Sequence, residues 1–430
     1  MMRTILFRSR GIRVTAAAGA LTFGACGGDR VSAPTGSASF SRFEVIGGAV
    51  ASGVASDGLV STTQATAWPA LLANAADVPL RRALHRSPGC APPLVAPLLL
   101  GRRLSGVPTT EVDSSCAGTT EAFTPPGTSL AIGGATAWDA VNATPRTVAA
   151  APTLYDAPAR GRYAATLAPT QSQVTATLVA APTLVAVELG LAEVARAAVS
   201  GRVVAATAYG EPAGWTFAPP ALFAPAFDAV ADSLEKSGAR VVVLGVPPVT
   251  QMPAFRTGSV VWDARAELAT FGVNVAADCQ GSTNLIHVAT VVVSAAVRAV
   301  AAGTPQAASC ADTPGADDGV LTAAEVVTLA SAVTQMNAHL ADVASAHGWA
   351  FADGADAWHA IVTAAPPFSA HTLFTCHAPF GRYLSLDGLH PSATGQQVIA
   401  GAVAAALNAK YGFAIPVADP AEAGAECDPA

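Results

Sequence analysis

Pro182-Thr183-Leu184-Val185-Ala186-Val187-Glu188-Leu189 is a short, mostly apolar run closed by Gly190, and it decides the fold class. A run this short and this apolar reads as a strand buried on both faces. Three further runs repeat the pattern: Phe43-Glu44-Val45-Ile46 before Gly47-Gly48, Arg240 to Val246 before Pro247-Pro248, and Trp349 to Asp353. Amphipathic helices are expected between and after them. Pro220 to Lys236 precedes the third run. Thr322-Ala323-Ala324-Glu325 is a capping-box pattern. It opens a helix that places Val326, Leu329, Val333, Met336, Leu340 and Val343 on one face, with Gly348 as its stop. Ser392 precedes a last helix, Thr394 to Ala409, whose Val398, Ile399, Ala402, Val403 and Leu407 would dock on the sheet. Buried strands alternating with helices predict an α/β fold, a three-layer α/β/α sandwich around a mainly parallel sheet.

Composition agrees with a large core. The chain has 430 residues, 51% hydrophobic and only 12% charged, so disorder is excluded as the general state. Its 23 Lys and Arg are spread thinly and the formal net charge is -7. Phosphate binding needs clustered positive charge, so a nucleic-acid partner is not expected. Mean hydropathy is high, +0.42. The apolar content is largely Ala and Val, and 31 Pro and 38 Gly interrupt every long run, so no spanning helix is expected. Residues 75–128 and 251–320 are rich in Pro, Gly and Thr and fit no strand or helix pattern. They are read as insertions on the rim of one domain spanning residues 42–413, followed by a tail at 414–430. No internal repeat or composition break marks a second domain.

The N-terminus reads as a leader. Arg3, Arg8, Arg10 and Arg13 precede a short apolar stretch, Val14 to Ala25, which runs directly into Cys26. Small residues before a Cys at this offset resemble a bacterial lipobox. On that reading residues 1–25 are a signal peptide, Cys26 is acylated, and 26–41 is a flexible tether to the membrane. Gly27, where an Asp would direct otherwise, points to the outer membrane of the cell envelope. Six Cys then remain, an even number that fits three disulfides in an oxidising compartment. Fifteen pairings are open. The sequential one is favoured, Cys90–Cys116, Cys279–Cys310 and Cys376–Cys427, because each pair brackets a segment rich in turn residues. There is no C-x-x-C and the eight His are scattered, so neither a metal site nor a cofactor is expected. His359, His371 and His377 are read as loop or surface residues. The chain is expected to be a monomer.

One motif carries chemistry. In Leu386-Asp387-Gly388-Leu389-His390-Pro391-Ser392 an Asp and a His stand three apart on a tight turn just before the last helix. The Asp can accept from one imidazole N–H, fix the tautomer and leave the other nitrogen free as a base. This D-G-x-H-P-S block resembles the last block of the SGNH/GDSL hydrolases, and the rest of the chain follows that family in order. Phe43 to Gly53 lies where the family has its first strand and nucleophile turn. Ser61 to Gln64 and Trp68 to Leu72 resemble the helix after it. Ser129 to Ala135 resembles the second block, whose Gly, here Gly134, lends a backbone N–H to the oxyanion hole. Leu189 to Glu193 stands at the G-x-N-D block. Gly238 to Thr250 resembles a subgroup of exported members. The resemblance covers nearly all of residues 43–412 and implies the flavodoxin-like sandwich of that family, with ester hydrolysis as its activity.

The departures decide what that implies here. Gly47, Gly48, Ala49 and Val50 stand at G, D, S and L, so the nucleophile position has no hydroxyl. The oxyanion Asn position is Ala192, and the Asp after it is Glu193. Losing the nucleophile of such a unit costs on the order of 10⁶ in kcat, and one oxyanion donor about 10²–10³. Ser52 and Ser56 are the nearest hydroxyls, and neither keeps the spacing to Gly53. Two functions are therefore carried forward. One is a lipid-anchored pseudo-hydrolase that binds an ester, glycan or envelope-protein ligand without turnover. The other is an active ester hydrolase using Asp387 and His390 with a substitute nucleophile or an activated water. All four positions, Ala49, Gly134, Ala192 and the Asp387–His390 turn, are expected at the C-terminal edge of the strands.

Overall fold

A computed structural model describes residues 40–211, 214–416 and Cys427. Cys26, the leader, nearly all of the tether and most of the 414–430 tail lie outside the described residues.

The four expected strands form one parallel sheet: β1 (Phe43–Gly47), β2 (Leu184–Glu188), β3 (Arg240–Leu244) and β4 (Ala350–Ala352), paired in the order β1-β2-β3-β4. Every residue of β1 and β2 is buried, as continuous apolar runs require when both faces are covered. The register sets Gly47 opposite Glu188 and Leu244 opposite both Glu188 and Ala352, so the strands end at one edge. A fifth segment extends the ladder on the other side of β1. Leu130 N donates to Val45 O at 2.8 Å and Ile132 N to Gly47 O at 2.9 Å, in parallel sense. In space the order is therefore 129–132, β1, β2, β3, β4. The chain runs outward from β1 in both directions, which makes the end of β1 a topological switch point.

Two sets of helices pack on this sheet. Trp68–Ala75 and Ala355–Thr363 pack on Ala393–Tyr411, which lies on β3 and β4. Ala137–Asn142, Gln173–Ala180 and Ala323–Ala346 pack on Pro220–Glu235. The expected capping box is present: Glu325 Oε2 accepts Thr322 N at 2.9 Å and Thr322 Oγ1 accepts Glu325 N at 3.3 Å. Ser392 caps the last helix by accepting Gly395 N. No helix of the described residues is long and apolar enough to cross a membrane.

The disulfides are the sequential set, Cys90–Cys116, Cys279–Cys310 and Cys376–Cys427. The 251–320 segment, read as fitting no strand or helix pattern, carries secondary structure of its own, separate from the main sheet. It holds an antiparallel sheet of Phe255–Thr257, Leu285–His287 and Val320–Leu321, and a parallel pair, Val273–Val275 with Gln306–Ala308. Phe255, Leu268, Val273, Ile286, Val288 and Val292 belong to the main core. Strands of two or three residues are too short to show a period, so their apolar residues read as loop. His359, His371 and His377, read as loop or surface residues, are all exposed; His359 lies on the helix Ala355–Thr363 and His371 on Ala370–Thr375.

Candidate functional site

The edge where β1 and β2 end is built around one buried carboxylate. β1 stops at Gly47 because the chain turns hard there. A Cβ on Gly47 would lie 2.8 Å from Ala51 Cβ and 3.2 Å from Glu188 O. The next residues form the one-turn helix Ala49–Ser52, closed by Gly53 at φ +84°. Glu188 Oε2 accepts Gly48 N at 3.1 Å and Ala51 N at 2.9 Å, which satisfies N–H groups the short helix leaves open. Burial pushes the Glu188 carboxyl up to about 7, against those N–H donors and the nearby charge of His390. Ala49 is half-buried on this turn and presents a methyl group. Ser52 is buried and donates its hydroxyl to Ala49 O at 3.0 Å.

The Asp387–His390 turn faces this edge through the loop that follows Gly53. Asp387 Oδ2 lies 2.8 Å from His390 Nδ1 and accepts Asp57 N at 2.6 Å. Asp387 Oδ1 accepts Leu389 N at 2.9 Å, His390 N at 2.8 Å and the Ser385 hydroxyl at 3.0 Å. Burial alone would raise the Asp387 carboxyl, but the His390 ring and these donors outweigh it and hold it well below the usual carboxylate range. Burial alone would lower His390. The Asp387 carboxylate, with Asp57 and Glu188 behind it, lifts the imidazole above its ordinary value. Nδ1 is held by Asp387, so Nε2 is the nitrogen left for chemistry. Ser56 N donates to Ser385 Oγ at 2.7 Å, and Leu386 N donates to Ser56 Oγ at 3.2 Å. Gln396, in the first turn of the last helix, accepts Trp68 N at 2.9 Å and donates to Val50 O at 3.1 Å.

Two cavities open at this edge. The first, about 340 Å³, includes Gly134 and Ala192 in its wall, together with aromatic rings, among them Trp138, Tyr209 and Trp215, and charged side chains. The second, about 250 Å³, opens on Asp387 and His390. Its far walls come from the two disulfide-bearing segments: Leu94, Leu98 and Arg103 from one, His287, Thr290 and Val293 from the other. Burial pushes the His287 imidazole down to about 4, with Asp387 opposing, and His287 Nδ1 lies 2.7 Å from Thr290 Oγ1. The sequence-derived positions thus share one edge but divide between two cavities, Gly134 and Ala192 on one, Asp387 and His390 on the other. Ala49 lines neither.

Several residues of the site escaped the sequence reading. Glu188 had a signal, a lone charge inside an apolar strand. Asp57 and His287 had none, because tertiary folding alone brings them to Asp387. No protein-family model matches this chain, and no curated protein sequence does.

Proposed function

We propose that this chain is an SGNH/GDSL-type hydrolase fold that has lost serine-esterase turnover and binds a ligand at the degenerate site. The observation that carries this is the mismatch across one edge. Asp387 and His390 form a hydrogen-bonded acid–base pair, while the turn at the end of β1 offers a methyl at Ala49 and no hydroxyl in its place. Of the neighbouring hydroxyls, Ser52 donates to Ala49 O, and Ser56 Oγ accepts Leu386 N in the loop beside Asp387. The strand order supports the fold reading, since 129–132, β1, β2, β3, β4 is the flavodoxin-like order 2-1-3-4-5. The two sets of helices support the three-layer arrangement. On this reading Cys26 carries the lipid that holds a monomer at the outer membrane. Stable anchoring then rests on its acyl chains.

The mechanism left to the residues is partial. Asp387 fixes the tautomer of His390, and Nε2 is poised to take a proton, but position 49 has none to give. A second reading keeps the pair at work, with His390 drawing a proton from a water in the cavity it faces. Hydrolysis of p-nitrophenyl acetate and butyrate separates the two. No turnover above background is expected, and no fluorophosphonate labelling. Turnover lost in His390→Ala, or a covalent adduct at Ser52 or Ser56, would overturn the proposal.

A further inference from the structure

The aromatic cavity carries features that an empty remnant of a hydrolase would not need. Tyr163 lines it, is 2% exposed, and its hydroxyl has no hydrogen-bond partner. Arg162 lines it too, and its buried Nε is likewise unpartnered. Leaving such donors unpaired costs about 1–3 kcal/mol each, so native proteins normally give them a partner. Both line one space from one helix, Ala157–Thr166. Their neighbours are held in place. Asp139, fully buried, accepts the Tyr155 hydroxyl and both Thr136 donors. Glu193 lies behind the wall and accepts Ala137 N at 2.7 Å and the Tyr209 hydroxyl at 3.3 Å. Trp138 and Tyr209 stack with centroids 6.1 Å apart and planes 14° apart, and Trp215 stands edge-on to Tyr209 at 88°.

The charge pattern narrows the ligand. Arg162 and Arg196 line the same cavity as Asp139 and Asp156. A quaternary ammonium would meet two guanidinium groups, and a carboxylate or phosphate would meet two carboxylates. A neutral polyol meets no such conflict. Its hydroxyls both donate and accept, so they can serve Tyr163, Arg162 and the carboxylates together, while its C–H faces lie on aromatic rings. The volume lies at the lower end of small-molecule sites. Ala192 in place of an amide leaves the wall smooth. Gly134, at φ +88°, has open space where a side chain would stand, which leaves the mouth open.

We infer that this cavity binds a neutral sugar unit of a glycan. The inference rests on the proposed reading of the site as a binding site without turnover. The test uses the full chain titrated with chitotetraose, cellotetraose, xylotetraose and maltotetraose, followed by Trp fluorescence and calorimetry, with tetramethylammonium and acetate as charged probes. Saturable binding of at least one oligosaccharide with a Kd at or below about 1 mM is expected. Trp215→Ala should weaken it about tenfold or more. Tyr163→Phe, which removes one unpaired hydroxyl and keeps the ring, should weaken it severalfold with an unchanged melting temperature. The inference is overturned if no neutral oligosaccharide binds, if both variants bind like the wild type, or if only a charged probe binds. A wild type that turns over esters overturns the proposed function instead, so the two failures are distinguishable.

Discussion

The turn at Asp387–His390 and the turn at Gly48–Ser52 lie at the same edge of the sheet and are built in opposite ways. In the first, one carboxylate gathers three backbone N–H groups, a serine hydroxyl and an imidazole. In the second, the carboxylate is Glu188, borrowed from the neighbouring strand, and it gathers only backbone N–H groups while position 49 carries a methyl. Both turns are well satisfied. What differs is whether any reactive group results. On the proposed reading, rigid construction at a site is no measure of turnover, because the same hydrogen bonding builds a poised base in one turn and a corner without a nucleophile in the other.

The most severe way to break this contrast is to fill that corner. Ala49→Ser with Ala192→Asn should raise p-nitrophenyl butyrate hydrolysis by about 10²–10³-fold over the wild type, on the order of 3–4 kcal/mol of barrier. Adding His390→Ala should abolish the gain. A double variant as inactive as the wild type would mean that the two turns are not in reach of each other.

Removing a support of the poised side should cost nearly as much in stability. Cys279→Ala with Cys310→Ala opens a loop of 31 residues next to His287 and Thr290, and about 3 kcal/mol of unfolding free energy should be lost in urea titration. A loss well below 1 kcal/mol would show that the short strands of this segment hold without the bridge.

Gln396→Ala severs the side chain that links the last helix to both the Ala49 turn and Trp68. About 1–2 kcal/mol should be lost, because Trp68 N is left buried and unpaired. An unchanged denaturation midpoint would remove Gln396 from the account.

The smallest effect is electrostatic. His390 is lifted above its ordinary value, so it loses its proton later as pH rises, and the ascending limb of kcat/KM in the restored variant should lie above about pH 6.5. Asp57→Asn removes one of the charges that lift it while keeping the backbone N–H on Asp387. The limb should move to lower pH by a few tenths of a unit. A shift to higher pH would contradict the assignment of Asp57.

The parts of the molecule that were legible share a cause. β1, β2 and β3 are apolar runs stopped by Gly or Pro, the Thr322 box and Ser392 are local caps, and Asp387 and His390 are three residues apart. Each signal sits within one turn or one strand. The parts that were not legible are assembled across the chain. The 129–132 segment pairs with β1 through a few hydrogen bonds in a stretch that shows no strand period. The ring of Trp138 comes from the helix Ala137–Asn142 and those of Tyr209 and Trp215 from the connection before Pro220–Glu235, and the 251–320 sheets spread their apolar residues over strands of two or three positions. The Cys pairing was legible because each bridge joins cysteines that are neighbours in the sequence, and two of the three close segments rich in turn residues.

The walls around His390 add a matter of redox state. Leu94 and Leu98 lie within the loop closed by Cys90–Cys116, and His287, Thr290 and Val293 within the loop closed by Cys279–Cys310. The chamber over the imidazole is thus framed by two loops that are each closed by a disulfide, so the rigidity of the enclosure around the base is linked to the redox state of four cysteines far from it in sequence.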